Sequence, residues 1–292
     1  MKNNTLYASN TAYKFEKERI AGSNNDRIFR DVERNMKGTY PENLEYLDDF
    51  YDKDTGTSGT AFKDKDTGEV ILAYTGSNDL WNDWIKTDIG RIGLGLGDGH
   101  VNSARKFYEK IRTEYGDDII LTGHSLGGNL AQWIALYYNV QKTIIYNPAP
   151  LHISSDNIVN VLDKLTKDTI IRTFGSLEPA KFVSRQLKPI QDESLEKIMK
   201  LEEIFTGQVL RIQSELDVPT MVASALKGKY IGREYFLTNA GIHSLSDIID
   251  SEEARKEIEK ITNQILFQKV NIDIDGDGEI DVRLKMKNKN LM

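Results

Sequence analysis

Residues 117–138 read DDIILTGHSLGGNLAQWIALYY. Ile119, Ile120 and Leu121 form a short apolar run, mostly β-branched and free of charge, which fits a strand buried on both faces. From Leu126 the apolar residues Leu126, Leu130, Trp133, Ile134 and Tyr137 recur at helical spacing, so a helix begins just after Ser125. The chain must therefore turn from strand to helix within a few residues, and Gly123 and Gly127 flank the turn as G-x-S-x-G. Glycines there remove side chains that would collide in so sharp a bend, leaving the Ser125 hydroxyl exposed at the tip beside a helix N-terminus. An oxyanion formed at that point meets free backbone N–H groups and the positive end of a helix dipole. Taken alone the motif also fits any glycine-rich strand-to-helix turn; the strand before it and the helix after it are the context that nucleophilic chemistry requires.

Working outward, "GTAFKDKDTGEVILAYTGS" (59–77) reads as a hairpin turning at Asp66-Thr67-Gly68 into a strand Val70 to Tyr74. An amphipathic helix from about Asn102 to Tyr115 leads into the elbow strand. "KTIIYNPAP" is a buried strand ending in a turn, "TIIRTF" a further apolar run, and about Ser184 to Phe205 a charged amphipathic helix. "GQVLRIQSELDVPT" is a strand ending near Asp217, and a charged helix spans about Ser251 to Gln264. Leu6 to Ile20 looks helical, with no role readable. Strands alternating with helices imply an α/β fold with a mostly parallel central sheet covered on both faces.

The 292 residues carry a net charge of −7, so no basic surface argues for nucleic acid or a strongly anionic membrane. The absence of cysteine excludes disulfides, thiolate metal sites and a cysteine nucleophile. No run of about eighteen apolar residues forms a transmembrane segment. The opening "MKNNTLYASNTAYKFEKERI" lacks the apolar core of a cleaved signal peptide. The abundance of Lys, Asn, Ile and Asp fits a bacterial protein, secreted without a cleaved signal or cytoplasmic.

A serine hydroxyl is a weak nucleophile until a base takes its proton, and that base needs a carboxylate to hold its tautomer. There are four histidines. His124, as Ser125's neighbour on a tight turn, is expected to point away; His100 and His152 lie in loops; His243 lies late in the chain, where a Ser, Asp, His order places the base. For the acid, Glu178 in "IIRTFGSLEP" and Asp217 in "VLRIQSELDVP" compete as residues following strands.

As an ordered set these segments resemble the class 3 (fungal-type) lipase-like α/β-hydrolases and their bacterial relatives. "VILAYTGSNDLWNDWIKTD" resembles the family's strand, turn and following tryptophan and aspartate; "LTGHSLGGNLA" its elbow; "VLRIQSELDVPT" its acid-bearing strand; "GIHSL" its terminal histidine. The resemblance covers roughly Thr60 to Leu245. It implies an α/β-hydrolase fold, with Ser125 as nucleophile, Asp217 as acid and His243 as base. Ser77 and the backbone N–H of Leu126 would form the oxyanion hole. The substrate implied is a lipid or phospholipid ester at an interface, cleaved through an acyl-enzyme with no catalytic cofactor. Soluble esters, or binding by a decayed hydrolase, are the competing readings. The chain departs from the family at Thr75, where an arginine is usual, in the DVPT turn, and by a long insertion between Pro150 and Gln208. A fainter resemblance to antibacterial lipase toxins exported by the type VII route implies secretion partners and an immunity protein.

The expected organisation is a hydrolase domain over 1–265, with an insertion at about 151–207, and a C-terminal β-hairpin over 266–292. In "VNIDIDGDGEIDVRLKM", Asp273, Asp275, Asp277 and Gly278 match the opening of a calcium loop. Leu284 stands at the twelfth position, so the full EF-hand is absent. A structural calcium at Asp273, Asp275, Asp277, Glu279 and Asp281 is one reading; the alternation of Val270, Ile272, Ile274 with Ile280, Val282, Leu284 about Asp-Gly-Asp-Gly makes a plain hairpin the other. The glycine-rich Trp84 to His100, with Leu94 and Leu96, suits a mobile cover over an apolar site; the helix from Ser184 is the alternative cover.

Overall fold

Ile119 and Leu121 face one side of the elbow strand and Ile120 the other, and the sheet extends outward from that alternation. The computed structural model describes residues 4–76, 97–154, 156–157, 177–265, 269–272 and 282–285. Seven strands lie side by side in chain order. They are β1 (Leu44–Asp52), β2 (Thr57–Asp64), β3 (Val70–Tyr74), β4 (Ile119–His124), β5 (Lys142–Tyr146), β6 (Gln208–Ser214) and β7 (Arg233–Leu237). β1, β2 and β3 pair antiparallel, through the hairpin expected at 64–70, and β3 to β7 run parallel. The central parallel strands are covered on both faces: all five residues of β3 and all six of β4 are buried.

Two helical layers supply the cover. On one face α3 (Gly97–Tyr115), α4 (Leu126–Tyr138) and α5 (Leu177–Ile204) enclose Val70, Leu72, Leu121 and Ile145. On the other, α1 (Asn4–Ile20) and α2 (Ile28–Met36) pack on Ile71, Ala73 and Ile120. α7 (Leu245–Asp250) and α8 (Glu252–Ile265) pack on Ile144, Tyr146, Leu210 and Ile212 on that same side. Each fully buried Leu or Ile contributes about 1.5–3 kcal/mol relative to an exposed one, so this double cover is where the fold's stability resides. α6 (Val218–Ala225) follows β6 at the carboxyl end of the sheet.

The long helix in the insertion begins at Leu177, earlier than its amphipathic pattern suggests, and carries Pro189 inside it. Glu178 therefore stands in the first turn of a helix instead of on the loop after a strand. The run 169–174 lies outside the described residues. β8 (Lys269–Ile272) and β9 (Val282–Lys285) pair antiparallel in a separate two-stranded sheet, with Ile272 opposite Val282, which is the hairpin expected of the tail.

Candidate active site

Ser125 sits between β4 and α4 with φ 56° and ψ −123°. Asn139, at the far end of α4, is ordinary left-handed helix at φ 51°, ψ 44°; Ser125 is outside any well that an L residue favours. Its main chain is held in place by Ser125 N donating to Tyr146 O at 3.2 Å and by Ala149 N donating to Ser125 O at 2.9 Å. The glycines are required by contact. A methyl group on Gly123 would overlap the main chain of Gly127, and one on Gly127 would overlap the Tyr74 carbonyl. We expect Gly127→Ala to lose about 1–3 kcal/mol, as overpacking against rigid backbone does, and to lose activity with it. A melting temperature unchanged from the parent would contradict that reading of the elbow.

Asp217 lies three residues beyond β6 and is fully buried. It caps α6: Thr220 N donates to Asp217 Oδ2 at 2.8 Å, and Pro219 stands in the first turn. The other carboxylate oxygen, Oδ1, meets His243 Nδ1 in a short contact. Nδ1 must therefore carry the proton, which leaves Nε2 of His243 with a free lone pair. His243 lies in the turn between β7 and α7, its side chain about one-quarter exposed.

His124, immediately before Ser125, does not point away from this pair. Its ring centre is 4.6 Å from that of His243, and its Nε2 donates to the His243 main-chain carbonyl at 2.8 Å. Burial, helped by the neighbouring His243, pushes the His124 pKa down to about 3, so this ring is neutral near pH 7. Asn147 Nδ2 donates to the same carbonyl at 3.0 Å, while Ser214 N donates to Asn147 Oδ1 at 2.8 Å. The loop carrying His243 is thus tied to β5 and β6 as well as to the elbow. Neither Asn147 nor its role has a signature in sequence; both emerge only when the strand ends meet.

Ser125, His124, His243 and Asp217 are brought to one end of the sheet; the other histidines are not. His100 bonds Thr57 Oγ1 at 2.8 Å, two strands from the elbow, and His152 is buried beside Lys229. The amide of Leu126, first in α4, has no acceptor among the described residues and sits at the positive end of the helix. Ser77, the segment 84–96 and the carboxylates Asp273, Asp275, Asp277, Glu279 and Asp281 lie outside the described residues. Among the described residues no group of three or more acidic or histidine side chains is placed to hold a metal. Thr75, which stands where an arginine was expected, donates to the buried Glu16 carboxylate at 3.1 Å.

Residues 25–170, half of the chain, match the Tle-like phospholipase domain. The chain belongs to this family. The matched span includes the elbow and Ser125 but ends before Asp217 and His243, whose meeting is a feature of the fold. The extracellular phospholipase A1 of Serratia liquefaciens is 37% identical over 68 residues, a segment covering 23% of this chain and 20% of that protein. The chain thus spans about a fifth of the length of that relative. Among solved structures, lipase II from Rhizopus niveus has 12% identity and a TM-score of 0.45 over 80% of this chain and 78% of its own. The lipase of Rhizopus microsporus var. chinensis has 14% identity and a TM-score of 0.47 over 80% and 72%. At those values neither adds a site assignment.

Proposed function

We propose that the protein is a serine hydrolase that cleaves an acyl ester of phospholipids. The observation that carries the reading is the buried Asp217 carboxylate holding His243 beside the Ser125 elbow, in a chain of phospholipase family. In the reaction, Ser125 Oγ attacks the acyl carbonyl carbon and its proton passes to Nε2 of His243. Asp217 holds the tautomer and stabilises the imidazolium that results. The carbonyl oxygen, now negative, is met by the Leu126 N–H at the helix terminus, with Ser77 as the second donor. Collapse breaks the bond to the lysophospholipid oxygen, which takes the proton from His243. Water then attacks the acyl-enzyme, gives its proton to His243, and fatty acid leaves as Ser125 recovers its own.

Three exposed apolar residues lie near the acid and the base in sequence. Leu216, next to Asp217, is 67% exposed, Met221 in the first turn of α6 is 56% exposed, and Ile242, next to His243, is 53% exposed. Exposed apolar side chains this close in sequence to the acid and the base support an apolar substrate. Among the described residues no helix is long and apolar enough to cross a membrane. The extracellular relative supports secretion; an export partner and an immunity protein belong to the toxin reading of the sequence alone. Release of fatty acid from phosphatidylcholine vesicles, measured beside a short soluble ester, tests the substrate class; the A1 position named for the relative is read from the products. Turnover of the vesicle substrate that exceeds turnover of the soluble ester, and falls when Leu216 and Ile242 are both changed to Ser, is expected. Turnover of the soluble ester alone would make the protein an esterase.

A further inference from the structure

The first helix, α1, has no part in the elbow, the acid or the base, yet it reaches the site. Tyr13 Oη accepts from Gly76 N at 2.9 Å, and Gly76 is the residue before Ser77. The same oxygen lies 2.9 Å from His124 Nδ1. The direction of that second bond follows from the far side of the ring. His124 Nε2 faces a carbonyl, that of His243, and must be the protonated nitrogen, so Nδ1 is an acceptor and the tyrosine donates to it. A longer approach of the hydroxyl to His124 O, 3.5 Å, competes poorly for the single proton. The tyrosine ring meets the imidazole edge-on, centres 5.9 Å apart. One turn along α1, Glu16 accepts from the hydroxyls of Thr75 and Ser58, at 3.1 and 2.7 Å. A methyl placed on Gly76 would lie 2.8 Å from the tyrosine oxygen and 3.0 Å from Ser125 Cβ, so this loop, Tyr13 and the elbow leave no space between them.

We propose that Tyr13 is a positioning residue, its hydroxyl setting through His124 where the main chain of His243 sits and, through the Gly76 amide, where the main chain just beyond β3 sits against the elbow. The inference rests on the serine-hydrolase reading above. One hydroxyl thereby joins the side of the base, through His124, to the main chain at Gly76 just beyond β3. Neither Tyr13 nor His124 touches the reacting atoms. Their effect is on geometry, and misplacing a reacting group by about 1 Å costs on the order of 100-fold in rate.

The test uses the full chain with Tyr13→Phe, which keeps the ring packing and removes only the hydroxyl, alongside His124→Phe, the double variant and Ser125→Ala. With the soluble ester, Tyr13→Phe is expected to keep KM within about twofold and lose about 10- to 100-fold in kcat. Labelling by a fluorophosphonate should slow in parallel. Because the two residues share one hydrogen bond, the double variant should lose clearly less than the product of the two single losses. A kcat for Tyr13→Phe within twofold of the parent overturns the proposal, as does a loss seen only in KM or in the fraction folded, or a strictly multiplicative double variant. Should Tyr13→Phe fail to fold, a kcat for His124→Phe within twofold of the parent overturns it equally. Activity remaining in Ser125→Ala would defeat the hydrolase reading and this proposal with it; an inactive Ser125→Ala beside a fully active Tyr13→Phe defeats this proposal alone.

Discussion

Ser125→Ala should fold as the parent does and hydrolyse nothing above background, a loss of about 10⁵- to 10⁶-fold in kcat, as removing the nucleophile of such a unit typically gives. The fold is indifferent to the hydroxyl because no hydrogen bond to its oxygen holds any element in place among the described residues, whereas the main chain of residue 125 is bonded to Tyr146, Gly128, Asn129 and Ala149. The backbone at φ 56°, ψ −123° costs about 1–3 kcal/mol for any residue with a Cβ. Ser125→Gly relieves that cost, since glycine visits positive φ freely. It should therefore be inactive and at least as stable as Ser125→Ala by thermal melting. A Ser125→Gly protein clearly less stable than Ser125→Ala would mean that the elbow is not strained in the way its dihedrals indicate.

The second large effect is expected at Asp217, where the two carboxylate oxygens have different tasks. Asp217→Asn keeps the helix cap, because asparagine caps about as well as aspartate, and its amide oxygen goes to the Thr220 N–H, which can only donate. The amide nitrogen is then left facing His243 Nδ1. As a donor it requires Nδ1 to accept, and this drives the imidazole into the tautomer with its proton on Nε2, where it cannot take one from Ser125. A fall in kcat of about 10³- to 10⁴-fold follows, with a melting temperature close to the parent's because the cap is intact. Near-normal turnover in the folded variant would move the acid elsewhere, with Glu178 the carboxylate that the sequence also offered.

The parts of this structure that could be read from the sequence are those set by local pattern. The apolar run 119–121, the helical spacing from Leu126 and the two glycines define β4, the elbow and α4, and the Asp-Thr-Gly turn defines the β2–β3 hairpin. Asp217 was legible as a strand-end carboxylate followed by proline, although choosing it over Glu178 drew on family resemblance. The remainder depends on contacts between residues far apart in the chain. The β1 strand, LEYLDDFYD, has a mixed burial pattern and a register shift between Tyr46 and Asp48, so its alternation is broken. β7, REYFL, is an edge strand whose only buried residue is Leu237, which leaves no apolar run to read. Tyr13 lies 111 residues from His124, and Asn147 lies 96 from His243. No spacing rule links residues at such separations, and their roles appear only once the carboxyl ends of β3 to β7 are side by side.

The account depends on one chemical claim, that Ser125 is the activated nucleophile of this fold. Exposure of the intact protein to a fluorophosphonate, followed by proteolysis and mass spectrometry, tests it directly, since stable phosphonylation requires a serine with its base in place. The expected result is a single adduct, on the peptide containing Ser125, absent from Ser125→Ala and formed far more slowly in Asp217→Asn. A folded parent protein that takes up no label, or takes it up on a serine other than Ser125, would contradict the account.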